Sequence, residues 1–235
     1  MVSGQVNPIQ YSLGLMLRDD ATLANFYSGP NGQVLELISR LPERPGALVY
    51  LWGPLGSGRS HLLQAACVDF QQRGRSAIYL PLAELVNMAP QGLESLDDCE
   101  LLCLDDLQAV AGNRAWEEAL FHLFNRRRQC GGALLVAASV PPRGLALQLA
   151  DLQSRLMLAA VYQLRALADE DKLHALQLRA KARGMGLSDE AGSFILSHGP
   201  RSMDALLALL DTLDQASWRA QRKLTIPFLK QTLGW

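Results

Sequence analysis

The sequence predicts an α/β fold: a doubly wound domain on a parallel five-stranded sheet, followed by a small all-helical lid-like subdomain. Three observations carry this. Short apolar runs at 47–52, 76–81, 101–105, 133–139 and 161–164 are nearly continuous rather than alternating, as strands buried on both faces of a parallel sheet are. Longer amphipathic runs separate them, so strands alternate with helices. Beyond about residue 166 strand-like runs stop and only helical periodicity remains. The divisions that follow are a flexible tail at 1–20, an α/β domain at 21–165 and a helical part at 166–235.

Each element has local signals. The run ALVYLW at 47–52 lies between Pro45-Gly46 and Gly53-Pro54, which punctuate a strand. A helix over 60–73 puts Leu62, Leu63, Ala66 and Phe70 on one face, and Gly74 stops it. SAIYLP at 76–81 and LLCLD at 101–105 are strands. A helix over 116–128 ends before Gly131-Gly132, ahead of the strand ALLVAAS and, later, VYQL. The helical part holds 169–183 closed by Gly184, 188–198 with Ser188 as N-cap, a Leu-rich 203–219, and 225–233. In the last, Thr225 is placed as N-cap and Pro227 falls in the first turn, where proline is tolerated.

Composition narrows the classes. With 49% hydrophobic and 19% charged residues the chain can build a core. No apolar run reaches the roughly 18 residues of a membrane span. Lys+Arg 22 against Asp+Glu 23 gives a net charge of −1, which argues against a dedicated nucleic-acid binder but leaves room for a local basic patch. The N-terminus lacks the basic and apolar regions of a secretory leader, and Cys67, Cys99, Cys103 and Cys130 form no CxxC pair. They read as small buried thiols in a cytoplasmic protein. Arg126-Arg127-Arg128 reads as a solvated, dipole-complementing helix end, with contact to DNA or an acidic partner surface as the alternative. Trp52, Trp116, Trp218 and Trp235 share no spacing of a stacking platform and read as packing residues, Trp235 loosely held.

Two motifs carry chemistry. Gly53-Pro54-Leu55-Gly56-Ser57-Gly58-Arg59-Ser60 follows a strand and opens a helix with the spacing of a phosphate-binding loop, GxxxxGK[ST]. Glycines let backbone N–H groups reach phosphate oxygens, and the helix N-terminus favours the anion. Ser60 is placed for Mg²⁺. Arg59 replaces the usual Lys; its planar fork holds phosphates differently, which speaks against efficient hydrolysis by this chain. The second motif is Leu101–Asp106, an apolar strand ending in two acids, with Asp105 placed for the Mg²⁺ shell and Asp106 where ATPases orient water.

Beyond these motifs, LCLDDLQAVAGNRAWEEALFHLFN at 102–125 resembles the corresponding strand, turn and helix of DnaA-type AAA+ proteins. Asn25-Phe26-Tyr27-Ser28-Gly29-Pro30-Asn31 is similar to the segment that lies beside the adenine in that family, and Ser60-His61-Leu62-Leu63-Gln64-Ala65 to its THLLHA stretch. The resemblance runs from about residue 20 to the end and implies an AAA+ P-loop domain with a helical lid. It implies nucleotide contacts at Phe26 and His61, a sensor 1 role for Ser139, and a sensor 2 role for Arg201 at the start of a lid helix. Arg155, in the run Ser154-Arg155-Leu156, matches the arginine finger, a group presented to nucleotide on a neighbouring subunit.

Within the family, two features narrow the expectation. The sequence stops at Trp235, where DnaA continues into a DNA-reading helix-turn-helix domain. Gln10-Tyr11-Ser12-Leu13-Gly14-Leu15 looks like a sliding-clamp-binding motif in which Gln10 bonds at a pocket edge while Leu13 and Leu15 fill it. The resemblance is then to the DnaA-homologous factors of regulatory inactivation. It implies ADP and Mg²⁺ as ligands, and DnaA and the sliding clamp as partners. DNA is met mainly through the clamp, in the cytoplasm beside the nucleoid, and a homo-oligomer is allowed. It implies an activator of DnaA-bound ATP hydrolysis rather than an independent enzyme. Two rivals remain open: an autonomous ATPase of the helicase-loader type, and a clamp-tethered adaptor without chemistry.

Overall fold

The computed structural model describes residues 21–96 and 98–235. In chain order it holds α1 (Gly32–Ser39), β1 (Leu48–Trp52), α2 (Arg59–Gln72), β2 (Ala77–Pro81), α3 (Leu82–Leu85), β3 (Leu101–Asp105), α4 (Arg114–Cys130), β4 (Ala133–Ala138), α5 (Ala150–Leu156) and β5 (Ala160–Gln163). After these come α6 (Asp169–Ala182), α7 (Asp189–His198), α8 (Met203–Ala220) and α9 (Ile226–Leu233). The five strands form one parallel sheet of order β2-β3-β4-β1-β5. The expected fold class is present: a parallel five-stranded sheet with helices, and an all-helical C-terminal region.

The chain divides into two compact units. One contains 21–23, 33–53 and 59–164; the other contains 24–32, 54–58 and 165–235. In the first, every residue of β3 and β4 is buried, which is why those runs lack polar alternation. Tyr50, Leu102, Leu104, Leu134 and Val136 of the strands pack with Leu120, Leu123 and Phe124 of α4 and Leu152 of α5. The edge strand β5 is mostly exposed. In the second unit Leu176, Ile195, Leu206, Leu210, Leu213 and Phe228 make a separate core. Its first stretch is sewn to its last: Asn31 exchanges two hydrogen bonds with the Arg165 backbone, at 2.8 and 3.0 Å, and Tyr27 donates to Asp171.

Helix ends follow their signals. Ser188 and Ser202 accept from backbone N–H groups three residues on, while Thr225 occupies its N-cap position without a side-chain bond. Gly74, Gly131 and Gly184 all adopt positive φ at helix ends.

Three expectations are corrected. Arg127 is no solvated helix end: it is 1% exposed and donates to the carbonyls of Cys99, Glu100 and Ala133. It ties the bottom of β3 and β4 to α4, because those carbonyls lie just before or at the strand starts. Trp218 does not pack but stands 77% exposed. Cys130 is exposed, unlike the three buried cysteines. Trp235, expected to be loosely held, lies beside the rings of Phe194 and His198, with centroids 5.8 and 6.0 Å away.

Candidate functional site

The glycine loop joins β1 to α2. Gly56 and Gly58 take φ of 75° and 91°, conformations that only glycine adopts without strain. A Cβ on Gly58 would stand 2.7 Å from the ring of Phe26, so Gly58 is also required sterically. Phe26 thus lies against the loop. Ser57 Oγ is buried without a hydrogen-bond partner, and so is Arg59 Nη1. Buried donors are seldom left so; a phosphate oxygen is the kind of group that satisfies a donor of either sort. The residues present therefore fit an anion held at the head of α2.

Asp105 ends β3 and is 1% exposed. It accepts from the Tyr79 hydroxyl at 2.8 Å and from the Asp106 amide at 2.9 Å, and Ser60 hydrogen-bonds to it as well. Burial pushes its carboxyl above the usual range, against those bonds from Ser60 and Tyr79. A carboxylate and a hydroxyl meeting in this way form the oxygen pair that Mg²⁺ takes beside nucleotide phosphates.

Asp106 has φ of 52°, rare for a non-glycine residue. The twist swings its carboxylate away from the strand, to Gln108 at 2.8 Å and to Arg59 Nη2 at 3.6 Å. Arg59 and Asp106 are therefore paired with one another. Gln108 also accepts from the amide of Ser139 at 2.9 Å, which links the end of β4 to the same group. His61 Nε2 pairs with the carbonyl of Thr22.

Arg155 sits on α5, half-buried. Its Nε donates to Asn125 Oδ1 at 2.9 Å and its guanidinium lies 5.8 Å from the Phe121 ring centre. Both partners come from α4, so the arginine is aimed by a second helix. The loop before α5 is fixed by Glu117, fully buried, which accepts from the amides of Gly112, Gln148 and Leu149 at 2.7–3.1 Å. Arg201 precedes α8, is exposed, and lies 3.9 Å from Asp169. Gln10, Leu13 and Leu15 fall outside the described residues.

Within the first unit the structure gathers Arg59, Ser60, Asp105, Asp106 and Ser139. It adds partners that the sequence reading passed over: Tyr79, Gln108, Glu117, Phe121 and Asn125. A tyrosine in a strand or a glutamine in a turn has no signature until its contact exists. Glu117 did have one, a lone acid on the apolar face of its helix.

A parallel sheet of this order, with a glycine loop after β1 and paired acids closing β3, defines a P-loop domain of the AAA+ class. Residues 17–162 match the family model of the bacterial DnaA ATPase domain, and residues 169–233 match that of the Hda lid domain. The chain belongs to the bacterial DnaA ATPase family and is an Hda-like, DnaA-homologous AAA+ protein. Solved structures agree on the fold. Domain III of the Thermotoga maritima replication initiation protein DnaA is 19% identical, covers 92% of this chain and 97% of its own, and has a TM-score of 0.79. AMPPCP-bound DnaA from Aquifex aeolicus is 22% identical over 86% of this chain and 67% of its own, with a TM-score of 0.72. The Thermotoga maritima RuvB Holliday junction branch migration motor is 16% identical over 88% and 67%, with a TM-score of 0.63. No helix among the described residues is long and apolar enough to cross a membrane.

Proposed function

We propose that this chain is a nucleotide-holding regulator of the replication initiator DnaA that acts in trans. It rides on the DNA-loaded sliding clamp through Gln10, Leu13 and Leu15 and presents Arg155 to ATP bound on DnaA, so that DnaA hydrolyses that ATP and re-initiation is prevented. The observation that carries this reading is the pairing of Arg59 with Asp106 at 3.6 Å. A P-loop enzyme aims one cation at its own terminal phosphate and one acid at the attacking water. Here the two groups in those places are engaged with each other, so the chain is suited to holding a nucleotide rather than turning it over.

ADP is the ligand that suits this arrangement. The loop amides, Ser57 and Arg59 would take its phosphates, Phe26 and His61 would flank it, and Arg201 and Ser139 would serve as sensors. Ser60 and Asp105 would hold Mg²⁺, which neutralises phosphate charge when bound. Asn125 and Phe121 restrict the Arg155 side chain, which lowers the entropy lost when the guanidinium meets an anion.

The test is hydrolysis of labelled ATP prebound to DnaA, with this chain added, with and without clamp loaded on DNA. Stimulation only with clamp and DNA is expected. Turnover by this chain alone, with no effect on DnaA, would replace the reading by the autonomous ATPase.

A further inference from the structure

The helical unit carries a cleft of about 610 Å³ between the turn that follows α6 and the end of α8. Arg183 lines one side; Trp218, Arg222 and Lys223 line the other, with Asp214 as the acid among the lining residues. The run Trp218-Arg219-Ala220-Gln221-Arg222-Lys223 sets three cations within six residues around one aromatic. The apolar stripe of α8 is Leu206, Leu210 and Leu213. Trp218 lies off that stripe and is 77% exposed, so the core of the unit does not account for it.

The turn that presents these groups is held firmly. Gln221 adopts φ of 52°, and its side-chain amide donates to the Trp218 carbonyl at 2.8 Å. Ser217 Oγ donates to the Arg222 carbonyl at 2.6 Å. The Arg222 guanidinium lies 5.2 Å from the Phe228 ring centre and donates to Gln231. Lys223 is exposed at the edge. The result is a preformed concavity in which Arg222 and Lys223 outnumber Asp214, Arg183 being paired with Asp211, beside an exposed indole face.

We propose that this cleft binds single-stranded nucleic acid, with one unpaired base stacked on Trp218 and the adjoining phosphates at Lys223 and Arg222. Sequence-tolerant strand binding uses this pair of features, an aromatic platform and cations that follow the backbone. A duplex keeps its base faces stacked and leaves the indole idle. A protein partner seeks a broad apolar rim around a tryptophan anchor, whereas here Met185 and Leu224 are the apolar side chains beside it and the rest of the lining is glycine, polar or charged. Because the whole chain carries a net charge of −1, the attraction is local, modest and sensitive to salt.

The experiment uses the full chain and a labelled thymidine oligomer of about fifteen nucleotides, long enough for one such site. Anisotropy is read from about 50 to 200 mM salt, beside a duplex of equal length. The single strand is expected to bind better than the duplex and to quench tryptophan emission. That quench is lost in Trp218→Phe, and Trp218→Ala weakens binding roughly 5- to 100-fold, the fold-change of one lost stacked base. Lys223→Ala lowers the salt slope by about 0.7, one phosphate contact on a single strand. Both side chains are exposed, so thermal melts stay unchanged. Affinity unaltered in Trp218→Ala, preference for the duplex, or absence of binding would each overturn the proposal. So would a Trp218→Ala variant whose one change is its assembly state, which would assign the indole to a protein contact.

Discussion

The buried carboxyl of Asp105 carries a stability cost. Its carboxyl is raised above the ordinary range, chiefly by burial. A carboxylate with a raised folded-state value costs stability once ionised. That cost is absent below the unfolded value and fully present above the folded one. Asp105→Asn is therefore expected to raise the melting temperature of the nucleotide-free protein at neutral pH. The gap to wild type should close as pH falls toward the usual carboxylate range, while the Mg²⁺-dependent part of nucleotide stabilisation is lost. Equal melts at neutral pH would show that burial of this acid is costless. Arg127 behaves in the opposite way. Its removal takes a charged donor from the carbonyls of Cys99, Glu100 and Ala133, and Arg127→Met should cost about 3 kcal/mol in denaturant unfolding. Gly132→Ala would drive a methyl group into the same guanidinium and should be destabilised too. None of this was legible in the run Arg126-Arg127-Arg128, because three equal letters give no sign of which one turns inward. Ser60, Asp105 and the loop glycines were legible, since phosphate chemistry demands those types at that spacing.

At the scale of elements, the strands could be read almost to the residue. β3 and β4 are buried throughout, and continuous apolar runs between glycine or proline breaks have few other uses. The short helices α1, α3 and α5 were missed: runs of four to eight residues span too few turns to establish a period. α5 matters most because it carries Arg155. Its entry loop hangs on Glu117, whose carboxylate accepts from three backbone amides. Glu117→Gln places an N–H₂ donor against those N–H donors. It should cost roughly 2 kcal/mol and should lower stimulation of DnaA more than nucleotide binding. A variant as stable and as active as wild type would remove Glu117 from the positioning of Arg155. In the other unit, Gly58→Ala forces a methyl group onto Phe26 at a φ of 91°. It should lose nucleotide-dependent stabilisation, and adding Phe26→Ala should relieve the clash but not the backbone strain.

The molecule as a whole joins a glycine loop that suits a phosphate with the groups proposed here to act on DnaA. Gly56, Ser57 and Gly58 keep the cradle, while Arg59 and Asp106 are engaged with one another and Arg155 is aimed by α4. ADP should therefore raise the melting temperature by mass action, by the equivalent of about 2.7 kcal/mol at one hundred times its Kd. No shift at millimolar ADP would mean that the cradle is unused. In the proposed function Arg155, rather than the chain's own glycine loop, acts on the ATP held by DnaA. The most direct measurement compares wild type with Arg155→Ala in the clamp-dependent hydrolysis of ATP prebound to DnaA, with clamp retention and ADP-induced stabilisation checked in the same preparations. Loss of stimulation by roughly 10³-fold or more, with both controls intact, is the result expected of a finger. Wild-type stimulation by Arg155→Ala would remove the finger and leave this chain a tether.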